Sequence, residues 1–156
     1  MRYFCVLHHW DDDRERCATC RAEALAREEV LQRAIVAQVS GDVSDICELY
    51  TRDVVGSGPA TSARSREELA IEIEERRDAL AHEEITIGRV ESRGGLVRVE
   101  WEASGLHTGP LVLESNGAVL EPTGLRLRVR GVTVARFRGR RICSWRSHWE
   151  DLALAS

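Results

Sequence analysis

Apolar positions along the chain follow two different periods, and the change between them divides it. From Cys20 to Ser40, Ala24, Leu31, Ile35 and Val39 recur near the helical repeat, and Gly41 follows where a helix should stop. This predicts a first helix over 20–40. Asp42 is placed to cap a second, shorter helix in which Val43, Ile46, Cys47 and Tyr50 share a face, while 51–62, with Gly56, Gly58 and Pro59, reads as loop. Ser65 and Glu68 have capping-box spacing and open a third helix carrying Leu69, Ile73 and Leu80 on one side.

From Ile85 the period becomes two. Strands are predicted over 85–92 and 96–104 around Arg93-Gly94-Gly95, then over 111–114 before a turn at Ser115-Asn116-Gly117. A further strand over 125–129 exposes Arg126, Arg128 and Arg130 on its other face, and Gly131 marks a bulge or bend. Residues 132–137 and 142–149 pair across Arg138-Gly139-Arg140. Alternation puts Val97, Val99, Trp101 and Ala103 on one side and Glu100 and Glu102 on the other. On the last strand Cys143, Trp145, Ser147, Trp149 and Asp151 share a side, opposite Ser144, Arg146, His148 and Glu150.

Composition narrows the function classes. A chain of 156 residues, 43% apolar and 31% charged, suits one folded domain burying roughly two thirds of its unfolded surface. The net charge of -4 gives no electrostatic basis for a nucleic-acid partner, and no apolar run approaches a membrane span. A cytoplasmic location is expected. All 22 basic residues are arginine, a bias expected of a GC-rich, actinobacterial-type coding sequence.

The N-terminal 21 residues form a separate feature, apart from a domain over 22–156. Cys5-x-x-His8 is followed by Cys17-Ala18-Thr19-Cys20, two ligand pairs on a short connection. Tetrahedral zinc takes four such donors at about 2.0 to 2.3 Å, and Cys5, His8, Cys17 and Cys20 are the candidate ligands of a structural zinc, with His9 able to replace His8. Free thiols and redox pairing of Cys17 with Cys20 remain open. No organic cofactor motif occurs.

Gly105-Leu106-His107-Thr108-Gly109, Pro122-Thr123-Gly124 and the Arg136-Phe137-x-x-Gly139-x-x-Ile142 hairpin with Trp145, in this order of elements, resemble the SnoaL-like branch of the nuclear-transport-factor-two-like superfamily, over about 27–151. The resemblance implies an α+β cone: a strongly bent antiparallel sheet wrapped over three N-terminal helices, enclosing a mostly apolar cavity, with homodimers common through the sheet's outer face. Its members include polyketide ester cyclases, limonene-epoxide-hydrolase-like enzymes, steroid isomerase relatives and proteins that only bind a ligand.

The resemblance also implies where chemistry would sit. Alignment on Gly139 and Ile142 puts Ser147 and Thr133 where the cyclases carry an Asp and a His, and neither hydroxyl moves a proton near neutral pH. Two readings follow. In one, the cavity binds an apolar small molecule, lined by Trp101, Trp145, Ser147 and Trp149. In the other, a cyclase, isomerase or hydrolase uses His107 or Asp151 as general acid/base, a carboxyl among tryptophans having its pKa raised. The tryptophans serve core packing or ligand stacking, and His107 equally suits a turn hydrogen-bonded to backbone.

Overall fold

The computed structural model describes residues 18–113 and 117–154 in full, together with the backbone of 3–5, 9–11 and 155. A short antiparallel hairpin, β1 (Tyr3–Cys5) and β2 (His9–Asp11), precedes α1 (Ala18–Ser40) and the one-turn α2 (Ile46–Leu49). Then come β3 (Tyr50–Gly58), β4 (Thr61–Ala63), α3 (Arg66–Glu75), β5 (Leu80–Arg93) and β6 (Leu96–His107). The hairpin of β7 (Leu111–Val112) and β8 (Val119–Leu120) leads to the long pair β9 (Arg126–Arg138) and β10 (Arg141–Ala155).

Six strands form one curved sheet in the order β4-β3-β10-β9-β6-β5. Every pairing is antiparallel except β3 with β10, so the sheet is mixed where an all-antiparallel one was expected. The fold is otherwise the predicted α+β cone. Helix α1 lies against the concave side, where Leu31, Ala34 and Ile35 join Val97, Val99, Leu127, Ile142 and others in one core.

Local chemistry explains most of the boundaries. Gly41, at φ 74°, ends α1. Ser65 Oγ accepts from Glu68 N at 3.1 Å to start α3, while Glu68 Oε2 reaches back to Arg64 N at 2.8 Å, one residue beyond the expected box. Asp42 does not cap α2: its carboxylate holds Ser44 N at 2.9 Å and Ser44 Oγ at 2.7 Å in a local turn.

Several expectations are corrected. Residues 51–62 are mostly strand, because Gly56 and Gly58 make room for neighbouring side chains of β10 rather than turns. Leu80 begins β5 and not the end of α3, Tyr50 begins β3, and Gly131 lies within an unbroken β9. The bulge expected at Gly131 is on the opposite strand, between Trp149 and Asp151. The turn expected at 115–117 falls largely outside the described residues.

The N-terminal half of α1 is tied to the β9–β10 turn. Arg27 Nε donates to Gly139 O at 2.9 Å and Arg140 pairs with Glu23 at 2.8 Å. The Arg27 guanidinium also stands 5.9 Å from the centroid of the Phe137 ring. These contacts fasten the start of the helix to the sheet at that turn.

Candidate functional site

Between α1 and the concave sheet lies a cavity of about 90 Å³, counted as space open to the centre of a water molecule. Period-two alternation aims Trp101 and Ala103 of β6, Leu127, Val129 and Thr133 of β9, and Trp145, Ser147 and Trp149 of β10 into it. Helix α1 contributes Leu31, Ala34, Ile35 and Gln38 from the opposite wall. Tyr50 at the start of β3, Gly58 at its end, Arg76 just past α3, and Leu80, Leu111 and Ile142 also line it.

Two glycines set the tryptophans. A Cβ on Gly56 would stand 2.0 Å from the Trp145 ring, and one on Gly131 would stand 2.5 Å from the Trp101 ring. Each indole therefore lies flat on bare backbone of the neighbouring strand. A Cβ on Gly58 would be 3.1 Å from Ser147 Cβ, so β3 also approaches closely where Ser147 faces inward.

The sheet wall carries one hydroxyl network. Trp101 Nε1 donates to Thr133 Oγ1 at 2.9 Å, and Thr133 Oγ1 is 2.7 Å from Ser147 Oγ. A second polar pair on the lining joins α1 to β3: Gln38 Nε2 donates to Tyr50 Oη at 2.8 Å. Tyr50 is buried, and desolvation pushes its pKa up to about 12 against the smaller opposing effects of Gln38 and the Arg76 charge.

The expected ligand-contact residues Trp101, Trp145, Ser147 and Trp149 all line this cavity. The two candidate acid/base residues do not. His107 shares the inward face of β6 with Trp101 and is 0% exposed, but it lies beyond the cavity wall. Its Nδ1 is 3.2 Å from Thr123 Oγ1, its backbone N donates to Leu125 O at 2.8 Å, and its carbonyl accepts from Gly124 N at 2.9 Å. The Gly105–Gly109 and Pro122–Gly124 motifs thus meet as a backbone clasp around a buried histidine. His107 Nε2 has no hydrogen-bond partner among the described residues.

Asp151 was expected on Trp145's side. The bulge at Glu150 reverses the alternation, so Asp151 opposes Arg130 and is exposed, its charge acting on Arg128 of the arginine-bearing outer face. His148 and Glu150 are exposed as well. Among the described residues that line the cavity there is no carboxylate and no imidazole.

On the outer face, Arg128 binds Glu102 through two hydrogen bonds of 2.9 Å and holds that carboxyl below its ordinary pKa. Arg126 pairs with Glu84 at 3.1 Å and Arg130 stands 3.8 Å from Glu102, so the arginine row is paired across strands. Of the four candidate zinc ligands, His8 and Cys17 lie outside the described residues, Cys5 is described only as β1 backbone, and Cys20 sits in the first turn of α1. Among the described residues no cluster of three His, Cys, Asp or Glu side chains could hold a metal. No described helix is long and apolar enough to cross a membrane.

Tyr50, Gln38 and Arg76 were not singled out by the sequence as site residues. They come from three elements, and only the register of β3 against β10 and the packing of α1 bring them to one wall.

Comparison with known proteins agrees with this geometry. Residues 28–156 match the family model of the SnoaL-like polyketide cyclases. A putative SnoaL-like polyketide cyclase from Jannaschia sp. CCS1 superposes with a TM-score of 0.67 at 16% identity, covering 81% of this chain and 86% of that one. IdmH, a putative polyketide cyclase from Streptomyces antibioticus, gives 0.61 at 22% identity, covering 80% and 91%. An epoxide hydrolase of the limonene-epoxide-hydrolase-like type from M. tuberculosis gives 0.58 at 16% identity, covering 81% and 84%. No curated protein matches the sequence.

Proposed function

The chain belongs to the SnoaL-like polyketide cyclase family, and from that premise we propose that it binds one small, largely apolar organic molecule between α1 and the sheet, without an acid–base pair in the cavity. The observation that carries this reading is the chemistry of the wall. Where the resemblance puts a proton-carrying Asp and His stand Ser147 and Thr133, hydrogen-bonded to each other. A serine or threonine hydroxyl neither gains nor loses a proton near neutral pH.

The apolar lining supplies the driving force. Each Å² of apolar surface removed from water contributes roughly 25 cal/mol, and the faces of Trp101, Trp145 and Trp149 offer flat area to a ring system. A cyclase, isomerase or hydrolase working through His107 or Asp151 would need them to reach a substrate, and both lie off this wall. Cytoplasmic location and a homodimer through the outer sheet face belong to the same proposal. Exposed Val55 on that face supports the dimer, which sedimentation at twice the monomer mass would test.

The binding reading is tested with the neutral fluorophore 6-propionyl-2-dimethylaminonaphthalene. One saturable, blue-shifted site is expected, with affinity falling at least about ten-fold in Ala103→Ile, which fills the cavity from β6. Unchanged affinity in a folded Ala103→Ile protein, or no binding to the parent, overturns it.

A further inference from the structure

The register of the N-terminal hairpin orders the donors of the motif that runs from Cys5 to Cys20. Strands β1 and β2 pair as Tyr3↔Asp11, Phe4↔Trp10 and Cys5↔His9. Directly opposed residues of an antiparallel pair share a face, with Cβ atoms about 4.5–5.5 Å apart. Cys5 and His9 are thus placed to share one ion, whose bonds to sulfur and nitrogen run about 2.3 and 2.0 Å. His8 precedes β2 and is not part of that rung.

A second pair stands at the helix. Cys17 directly precedes Ala18, where α1 starts, and Cys20 lies in the first turn. Positions three apart are neighbours along one side of a helical turn, about 5–6 Å between Cβ atoms, a spacing that suits two ligands of one ion. The connection from Asp11 to Ala18 can span up to about 23 Å at about 3.3 Å per residue, whereas the Cys5–His9 rung lies about 7 Å back along β2 from Asp11. The start of the helix can therefore return to the rung.

The hairpin has reason to be stapled. Its strands are three residues each and form a sheet separate from the six-stranded one. A two-stranded hairpin alone is marginal in water, and a metal bound only by the folded chain supplies stability that so small an element lacks.

We propose that Cys5, His9, Cys17 and Cys20 bind one zinc ion, which staples the hairpin to the start of α1. Four protein donors complete the tetrahedron and leave no position for a substrate, so the ion is structural. Arg27 and Glu23 fasten this same half of α1 to the β9–β10 turn, and the staple thereby joins the hairpin to the cone. The inference is independent of what the cavity binds.

The test loads the reduced, chelator-treated full chain with Co2+. About one equivalent is expected to give thiolate-to-cobalt charge-transfer bands and the visible bands of a tetrahedral site, both removed by zinc. Co2+ affinity should fall at least about ten-fold in His9→Ala and stay within about three-fold of the parent in His8→Ala. Amide hydrogen exchange reads the staple: residues 3–5 and 9–11 should be protected in the zinc-loaded chain and lose protection on chelation. Strands β6 and β9 should stay protected in both states, which verifies that each variant is folded. Absence of the cobalt bands, an affinity loss in His8→Ala that His9→Ala does not share, or a hairpin equally protected without metal overturns the inference.

Discussion

Thr133 and Ser147 face each other across β9 and β10 with their hydroxyl oxygens 2.7 Å apart, and the Thr133 oxygen also takes the indole proton of Trp101. The two residues are therefore unequal. Thr133→Ala strands a buried indole N–H and should cost about 1–3 kcal/mol, whereas Ser147→Ala leaves that bond in place and should cost less than about 1.5 kcal/mol. Equilibrium urea unfolding of both variants checks the order. A larger loss in Ser147→Ala would contradict the network.

Gly56 is occupied in a different sense, since the Trp145 ring fills the place of its missing side chain. Gly56→Ala should destabilise by about 1–3 kcal/mol or more, because the clash is with a rigid ring held in a strand. Adding Trp145→Phe, whose smaller ring can withdraw, should recover part of the loss. The midpoint of thermal unfolding in the two single variants and the double variant measures this coupling; strictly additive losses would contradict the contact.

Tyr50 makes the fold sensitive to alkali. Its folded pKa, about 12, lies above the ordinary tyrosine value near 10, so the unfolded chain loses this proton first. Stability from this group is complete below pH 10 and declines as the pH rises from 10 to 12. Denaturant midpoints across that range should fall more steeply for the parent than for Tyr50→Phe, and equal slopes would contradict the buried phenol.

The cysteine and histidine spacing makes a prediction of its own. Protein purified without chelator should carry about one equivalent of zinc, falling sharply in Cys17→Ser, as read by elemental analysis. A metal-free protein of unchanged stability would end the zinc proposal.

How much of the fold was legible depended on how local its causes were. Alternation along β6 was legible because one face is buried throughout, and it correctly separated Trp101 from Glu100 and Glu102. The start of α3 was written in Ser65 and Glu68. The position of Asp151 was not legible: one extra residue in β10, visible only against its partner β9, turns the side chain outward. Strand β3 was read as loop because its glycines suit turns equally well, and their purpose, seating Trp145 and Ser147, involves residues about 90 positions away. Tyr50 and Gln38 meet for the same long-range reason.

Crystals of the protein soaked with 6-propionyl-2-dimethylaminonaphthalene decide whether the space between α1 and the sheet is a binding site. The fluorophore should lie with its rings among Trp101, Trp145 and Trp149. A fluorophore bound elsewhere, or a cavity closed by repacked tryptophans with no ligand in it, would overturn the binding reading.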